Sequence, residues 1–248
     1  MTNELLFLLT TVVSFSGVVL TYRLFGKVGM WIWMAIATII ANIEVAKCVD
    51  MFGLATALGN VIYGSTFLST DILSENHGQK EAKRSIWMGM FFMLAATMLI
   101  QMSLLFVPNE SDFVSPSMKT LFSLVPRFTI VSFACFIISN RLDVFLYQWI
   151  GKRTKHVWIK NNAATMIAQF VDTVLYTFFA FVGVFSLKEM CEIFLSAYIM
   201  KAIVAVFDTP FLYWAKRIHT NNKDGWLFRK NGDPEEDKYY TYQGEGDL

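Results

Sequence analysis

The chain has 248 residues, 55% of them hydrophobic and only 17% charged, with a mean hydropathy of +0.45. Soluble domains carry about a quarter charged residues, so surface chemistry is scarce here, and a net charge of +1 with an isoelectric point near 7.7 excludes the strongly basic face of a nucleic-acid binder. Apolar stretches of about 18 residues or more recur, each long enough to cross a hydrocarbon core of roughly 30 Å as a helix. The length suits six or seven crossings joined by short connections. The expected fold is therefore all-α, a polytopic membrane helix bundle without room for a soluble catalytic domain.

Seven apolar segments can be drawn in chain order, at residues 5–22, 30–46, 52–73, 86–107, 122–150, 159–185 and 190–215. Each is too long for a strand and lacks strand alternation. The first has no basic start, and Thr21-Tyr22-Arg23 is a poor cleavage site, so it reads as a retained helix and not a signal peptide. Turn-forming or charged residues mark breaks at 26–29, 76–84, 108–116, 151–155 and 186–189. From His219 onward the chain is polar and reads as a flexible tail. The implied division is an extra N-terminal helix and basic loop at 1–29, a six-helix core at 30–217 and a cytoplasmic tail at 218–248.

Basic residues in short connections set orientation. Arg23 and Lys27 follow the first segment, and Lys80, Lys83 and Arg84 follow the third. Lys152, Arg153, Lys155 and Lys160 follow the fifth, and Lys216, Arg217, Lys223, Arg229 and Lys230 the seventh. These clusters occupy alternate connections and so share one side. Seven crossings then put the N-terminus outside and the C-terminus in the cytoplasm.

Ionisable residues inside such segments cost a few kcal/mol each on insertion scales, so each needs a reason. Asn42, Glu44, Gln169, Asp172 and Lys201 lie deepest and are read as lining a ligand pocket. Gln169, Asp172 and Tyr176 share one helical face; Glu44 and Lys47, three apart, can pair. Asp71 and Glu75 can pair at the interface with Lys80, Lys83 or Arg84, and Asp71 also joins the candidate substrate-binding set. Arg141 with Asp143 reads as a structural pair, and Arg127, near a helix start, as structural.

Ala37 and Ala41 form a small-xxx-small stripe for internal packing or for a partner subunit. Trp31, Trp33, Trp87, Trp158 and Trp214 suit an aromatic belt. His77, His156 and His219 fall in cytoplasmic connections and form no metal cluster. Cys48, Cys135 and Cys191 stand singly and read as small core residues. No phosphate loop, HExxH or GxSxG occurs. Neither a cofactor nor a metal is expected, and no paired nucleophile and base suggests an enzyme.

The segments NIEVAK (42–47), TFLSTDIL (66–73), SNRLDV (139–144), ATMIAQFVDT (164–173) and 198–210 together make the chain similar to one family. It resembles the queuosine precursor transporters, earlier catalogued as vitamin uptake transporters, over about residues 30–217. The resemblance implies uptake of 7-deazaguanines, such as 7-cyano-7-deazaguanine, its 7-aminomethyl relative or queuine, across the cytoplasmic membrane. It also implies a fold similar to the six-helix substrate-binding subunits of energy-coupling-factor vitamin transporters. The helix at 5–22 exceeds that core.

The polar residues suit such a ligand. Its N1–H and 2-amino group are parallel donors for a carboxylate, Glu44 or Asp172, while O6 wants a donor from Gln169, Asn42 or Lys201. A dry pocket penalises each unmatched polar group by about 1–3 kcal/mol. Phe67 or Tyr176 could stack on the ring. Two other readings stay open: a vitamin-binding subunit served by separate energy-coupling ATPase subunits, and a membrane enzyme or sensor.

Overall fold

The computed structural model describes residues 2–151, 157–221 and 225. In order these form α1 (Asn3–Glu44), β1 (Cys48–Met51), β2 (Leu54–Ala57), α2 (Gly59–His77), α3 (Gln79–Ser103), α4 (Ser115–Phe122), α5 (Val125–Gly151), α6 (Val157–Phe181) and α7 (Leu187–Thr220). The fold is an all-α membrane bundle with one small hairpin. By length and composition, Asn3–Glu44, Gln79–Ser103 and Ser115–Ser139 are apolar enough to cross a membrane.

Were α1 straight, its 42 residues would reach about 63 Å, twice a hydrocarbon core. It is not straight. Gly26 adopts φ 58° and ψ −140°, a conformation open to glycine because it has no Cβ. The chain doubles back there: a Cβ on Gly17 would sit 2.8 Å from the Trp33 ring, and one on Gly29 would lie 2.7 Å from the Thr21 carbonyl oxygen. Residues 3–25 and 27–44 are thus two antiparallel arms, matching the first two segments drawn from the sequence. Phe15, Val18, Val19, Tyr22 and Met30 from these arms form the main core with Leu68, Ile72 and Leu73 of α2 and Ala215 of α7. Trp33 belongs to this interior and not to a belt, since its indole N–H donates to Ser65 Oγ at 3.0 Å.

The third segment is corrected. Residues 52–58 are not helical; Cys48–Met51 and Leu54–Ala57 pair antiparallel, with Cys48 opposite Ala57 and Met51 opposite Leu54. The two turn residues, Phe52 and Gly53, have φ 51° and 76°, as a tight hairpin of the strands' own twist demands. Phe52 is unusual there, and the first arm of α1 holds it: its N–H donates to Glu4 Oε1 at 3.2 Å, and its ring meets Phe7 edge-on. Asn3 Nδ2 donates to the Asp50 carbonyl at 2.7 Å. The chain's start and the hairpin therefore share one end of the bundle.

The opposite end holds the Gly26 reversal and the ends of α2 and α7. The buried Tyr22 hydroxyl lies 3.0 Å from His77 Nε2 and 3.1 Å from His219 Nδ1, and accepts from Asn76 Nδ2 at 3.1 Å. His77 and His219 are thus helix-end residues meeting on one tyrosine, not connection residues; His156 lies outside the described residues. Glu75 pairs with Lys216 of α7, and Glu81 with Arg84 at 2.6 Å, so the expected pairing of Glu75 with the 80–84 cluster gives way to a contact between helices. Arg23, Lys27, Lys80, Lys83, Arg84, Lys216 and Arg217 all gather at this end.

Ala37 and Ala41 are buried, which assigns their stripe to internal packing. Gly59 starts α2 against this stripe, where an added Cβ would penetrate the Ala41 carbonyl oxygen. Of the three cysteines only Cys135 is buried; Cys48 and Cys191 are exposed. Gly59→Ala should force α2 off the second arm and cost about 1–3 kcal/mol, the usual penalty of overpacking. Thermal unfolding of the purified protein reads this as a lowered midpoint, and an unchanged midpoint would contradict the close approach.

Candidate functional site

Four helices bring polar side chains to one place inside the bundle. On α5, Ser132, Cys135 and Ser139 recur at spacings of three and four and so share a face. On α6, Asp172 and Tyr176 are one turn apart, with Thr173 beside them. Lys201 comes from α7 and Tyr63 from the first turns of α2.

Lys201 Nζ donates to Thr173 Oγ1 at 2.8 Å and lies 3.7 Å from Asp172 Oδ2. Ser139 Oγ is 2.7 Å from Asp172 Oδ1 and 2.6 Å from the Cys135 carbonyl oxygen. Ser132 hydrogen-bonds the Tyr176 phenol, and Tyr63, Cys135 and Tyr176 all lie within electrostatic reach of Asp172.

The members of this cluster remain partly accessible. Tyr63 keeps 36% of its surface accessible. The Asp172 and Lys201 side chains keep 25% and 22%. Asp172 stands nine residues before the end of α6 at Phe181, or about 13 Å along the helix. Lys201 stands 14 residues after the start of α7 at Leu187, or about 21 Å. The cleft is therefore well inside the bundle. The hairpin packs over the adjoining turns of α7: Ser196 Oγ donates to the Ala55 carbonyl at 3.0 Å, and Met51 clusters with Met200. Its strands satisfy each other's backbone groups, as non-helical chain within a membrane protein must.

Among the six residues proposed from sequence, Asp172 and Lys201 come together. Asn42 does not join them; it is buried in a separate network, where Nδ2 donates to Thr129 Oγ1 at 2.7 Å and Thr129 meets Thr97 at 2.8 Å. Its Oδ1 has no hydrogen-bond partner among the described residues. Glu44 closes the second arm of α1, with Lys47 as its nearby cation. Asp71 sits on α2 as an exposed residue. The side chains of Gln169 and Asp143 lie outside the described residues, and so does the expected pairing of Asp143 with Arg141.

Ser139 and Thr173 were within reach of the sequence, since they belong to the SNRLDV and DT segments. Nothing in the sequence singled out Tyr63, Ser132 or Cys135. Phe67 packs edge-on against Tyr63, ring centroids 5.3 Å apart. No group of three metal-ligating side chains occurs among the described residues.

Arg127 is structural. Its Nε donates to the Phe179 carbonyl at 2.9 Å and its Nη2 to the Val182 carbonyl at 2.6 Å, satisfying acceptors that the end of α6 leaves open.

The family described as "Putative vitamin uptake transporter" matches residues 57–215, a stretch that holds every side chain of this cleft. The chain belongs to this family. It is 35% identical over 226 residues, 90% of its own length and 99% of the relative's, to a "Probable queuosine precursor transporter" of Bacillus subtilis. A protein of the same name from Haemophilus influenzae is 28% identical over 131 residues, 52% of this chain and 54% of that one. No solved structure matches. As a member of a transporter family with apolar spanning helices, the protein is a membrane protein for uptake of a small molecule.

Arg127→Gln should lower stability by about 1–2 kcal/mol through weakened capping of α6 and leave ligand affinity unchanged. Thermal unfolding and a binding titration on the same sample separate the two effects. A loss of affinity at unchanged stability would contradict the structural role of Arg127 and place it in the site.

Proposed function

We propose that the protein imports a 7-deazaguanine queuosine precursor through the cytoplasmic membrane and holds the base in the cleft at Asp172. The observation that carries this reading is the convergence of Asp172, Lys201 and Thr173 with the hydroxyls of Ser139, Tyr63 and Tyr176 in an enclosed, accessible space. A guanine-like edge presents donors at N1 and the 2-amino group and an acceptor at O6. Asp172 answers the donors, and Lys201 or a tyrosine hydroxyl answers O6. Tyr63 and Tyr176 also offer ring faces for stacking. The name of the Bacillus subtilis relative, similar over nearly its whole length, supports the same substrate class.

The segment 30–217 is the proposed transport core, with residues 1–29 added to it and 218–248 as a cytoplasmic tail. The basic residues gathered at the Gly26 end favour that end as cytoplasmic. The reaction is transport and not catalysis. Ala37 and Ala41, the stripe that could have docked an ATPase module, are used inside the bundle, so the reading preferred is a carrier that works without one.

Cells lacking their own deazaguanine synthesis should accumulate labelled 7-cyano-7-deazaguanine when they express this chain; failure to do so would overturn the substrate assignment. Asp172→Leu leaves the ligand's donors unpaired in a dry site, and affinity should fall by about thirty-fold or more. Asp71→Asn, on an exposed position, should bind as the parent does. Equal losses for both variants would move the site away from Asp172.

Sidedness has its own measurement. A cysteine introduced at position 110 should react with an impermeant reagent from outside, and one at position 153 should not. The reverse pattern would invert the bundle.

A further inference from the structure

The end of the bundle at Gly26 carries more positive charge than its own carboxylates answer. Lys216 is paired with Glu75 and Arg84 with Glu81. The exposed Arg23, Lys80, Lys83 and Arg217 pair with no carboxylate among the described residues. These four stand on α1, α3 and α7, so the charge is spread over three helix ends.

The chain holds the opposite charge in its last stretch. Residues 231–248 carry six acidic side chains, at Asp233, Glu235, Glu236, Asp237, Glu245 and Asp247, against one basic one at Lys238. An acidic run of this kind is an interaction segment, and an anionic leaflet repels it.

The path to that run begins on the basic end. Helix α7 stops at Thr220 with Asn221 as its cap, and Gly225 already lies on the reversal. Its N–H donates to the Tyr22 carbonyl at 3.3 Å, and a Cβ there would stand 3.6 Å from the Gly26 backbone. The chain has thus crossed from α7 to α1 beside Arg23. Asp233 is eight residues further on, a reach of up to about 26–29 Å. Lys80 is close by comparison: it follows by three residues His77, whose ring nitrogen is 3.0 Å from the Tyr22 hydroxyl.

We propose that the acidic run 233–237 docks on this basic end, against Lys80 and Lys83 of α3 and Arg23 of α1, as an intramolecular cover. One exposed ion pair contributes little, so the docking depends on several pairs at once and on the tether. A tether this short holds the run at an effective concentration on the order of millimolar, an advantage that a free anion or a second copy lacks. The docked run ties the last turn of α7 to the first turn of α3 across the reversal. It needs no particular substrate in the cleft.

The test uses the full chain in nanodiscs, which leave both faces open, and a water-soluble carbodiimide, which joins a carboxylate to an amine in contact with it. Peptide mapping should find 233–237 joined to Lys80 or Lys83. The yield should fall about fivefold or more from about 0.1 M to about 1 M salt, as the screening length shrinks from about 10 Å to about 3 Å. A run that links only to other lysines or to none, or a yield indifferent to salt, would overturn the proposal.

Two controls identify the occupant. In a mixture of isotopically light and heavy chains the links should stay within one chain; links between light and heavy would make the occupant a second copy. Nanodiscs of phosphatidylcholine and of phosphatidylglycerol should both give the link, and its loss in phosphatidylglycerol would assign the basic end to lipid headgroups. Either contrary result sinks the intramolecular cover.

Neutralising the run (Asp233→Asn, Glu235→Gln, Glu236→Gln and Asp237→Asn) supplies a second readout. Amide hydrogen exchange over residues 79–86 and 216–221 should be faster in this variant than in the parent. Equal exchange in the two proteins would mean that the run covers nothing there.

Discussion

At Gly26 the backbone turns through φ 58° and ψ −140°, and the parity of the whole bundle follows from that turn. A continuous 42-residue helix would put its two ends on opposite sides of anything about 30 Å thick. The reversal instead returns residue 44 to the end where residue 3 began, which is why Asn3 can reach Asp50 and Glu4 can hold Phe52. It also puts Tyr22 beside the reversal, where His77, Asn76 and His219 meet its hydroxyl. One glycine thus aligns the basic ends of α1, α2, α3 and α7 on a single face.

Within that frame the intramembrane polar groups divide by what surrounds them. Arg127 is consumed by the carbonyls at the end of α6, and Glu75 by Lys216. Asn42, Thr97 and Thr129 tie the second arm of α1 to α3 and α5 by hydroxyl and amide bonds in a dry interior. The cleft around Asp172 and Lys201 differs because its members remain partly accessible although protein surrounds them. Charges there interact strongly with one another and with anything that enters, since the effective dielectric is low. A site that must bind a polar molecule and then release it needs that combination of enclosure and access.

The hairpin is the other element that a bundle of plain helices would not have. It adds non-helical backbone against the turns of α7 next to Lys201, and its two strands pair with each other. Side chains from the first arm of α1 secure it at Phe52. The first arm of α1 thereby contributes to the neighbourhood of the cleft without supplying, among the described residues, a side chain to it.

Hydropathy and charge spacing alone determined the class, the two arms of α1 and the alternation of basic connections, because each depends on residues adjacent in the chain. The same holds for the candidate status of Asp172 and Lys201: a charge in an apolar run demands a reason wherever the run ends up. The hairpin was legible only as Gly53 within an apolar segment, and the length of that segment outweighed it. Which charges meet was decided by tertiary structure. Asp172 and Lys201 are 29 positions apart and come together because α6 and α7 pack side by side, whereas Asn42 and Asp71, equally polar, are turned elsewhere by the reversal at Gly26 and the pitch of α2. Tyr63 joins the site for the same reason, since helical periodicity tells which residues share a face but not which face another helix will meet.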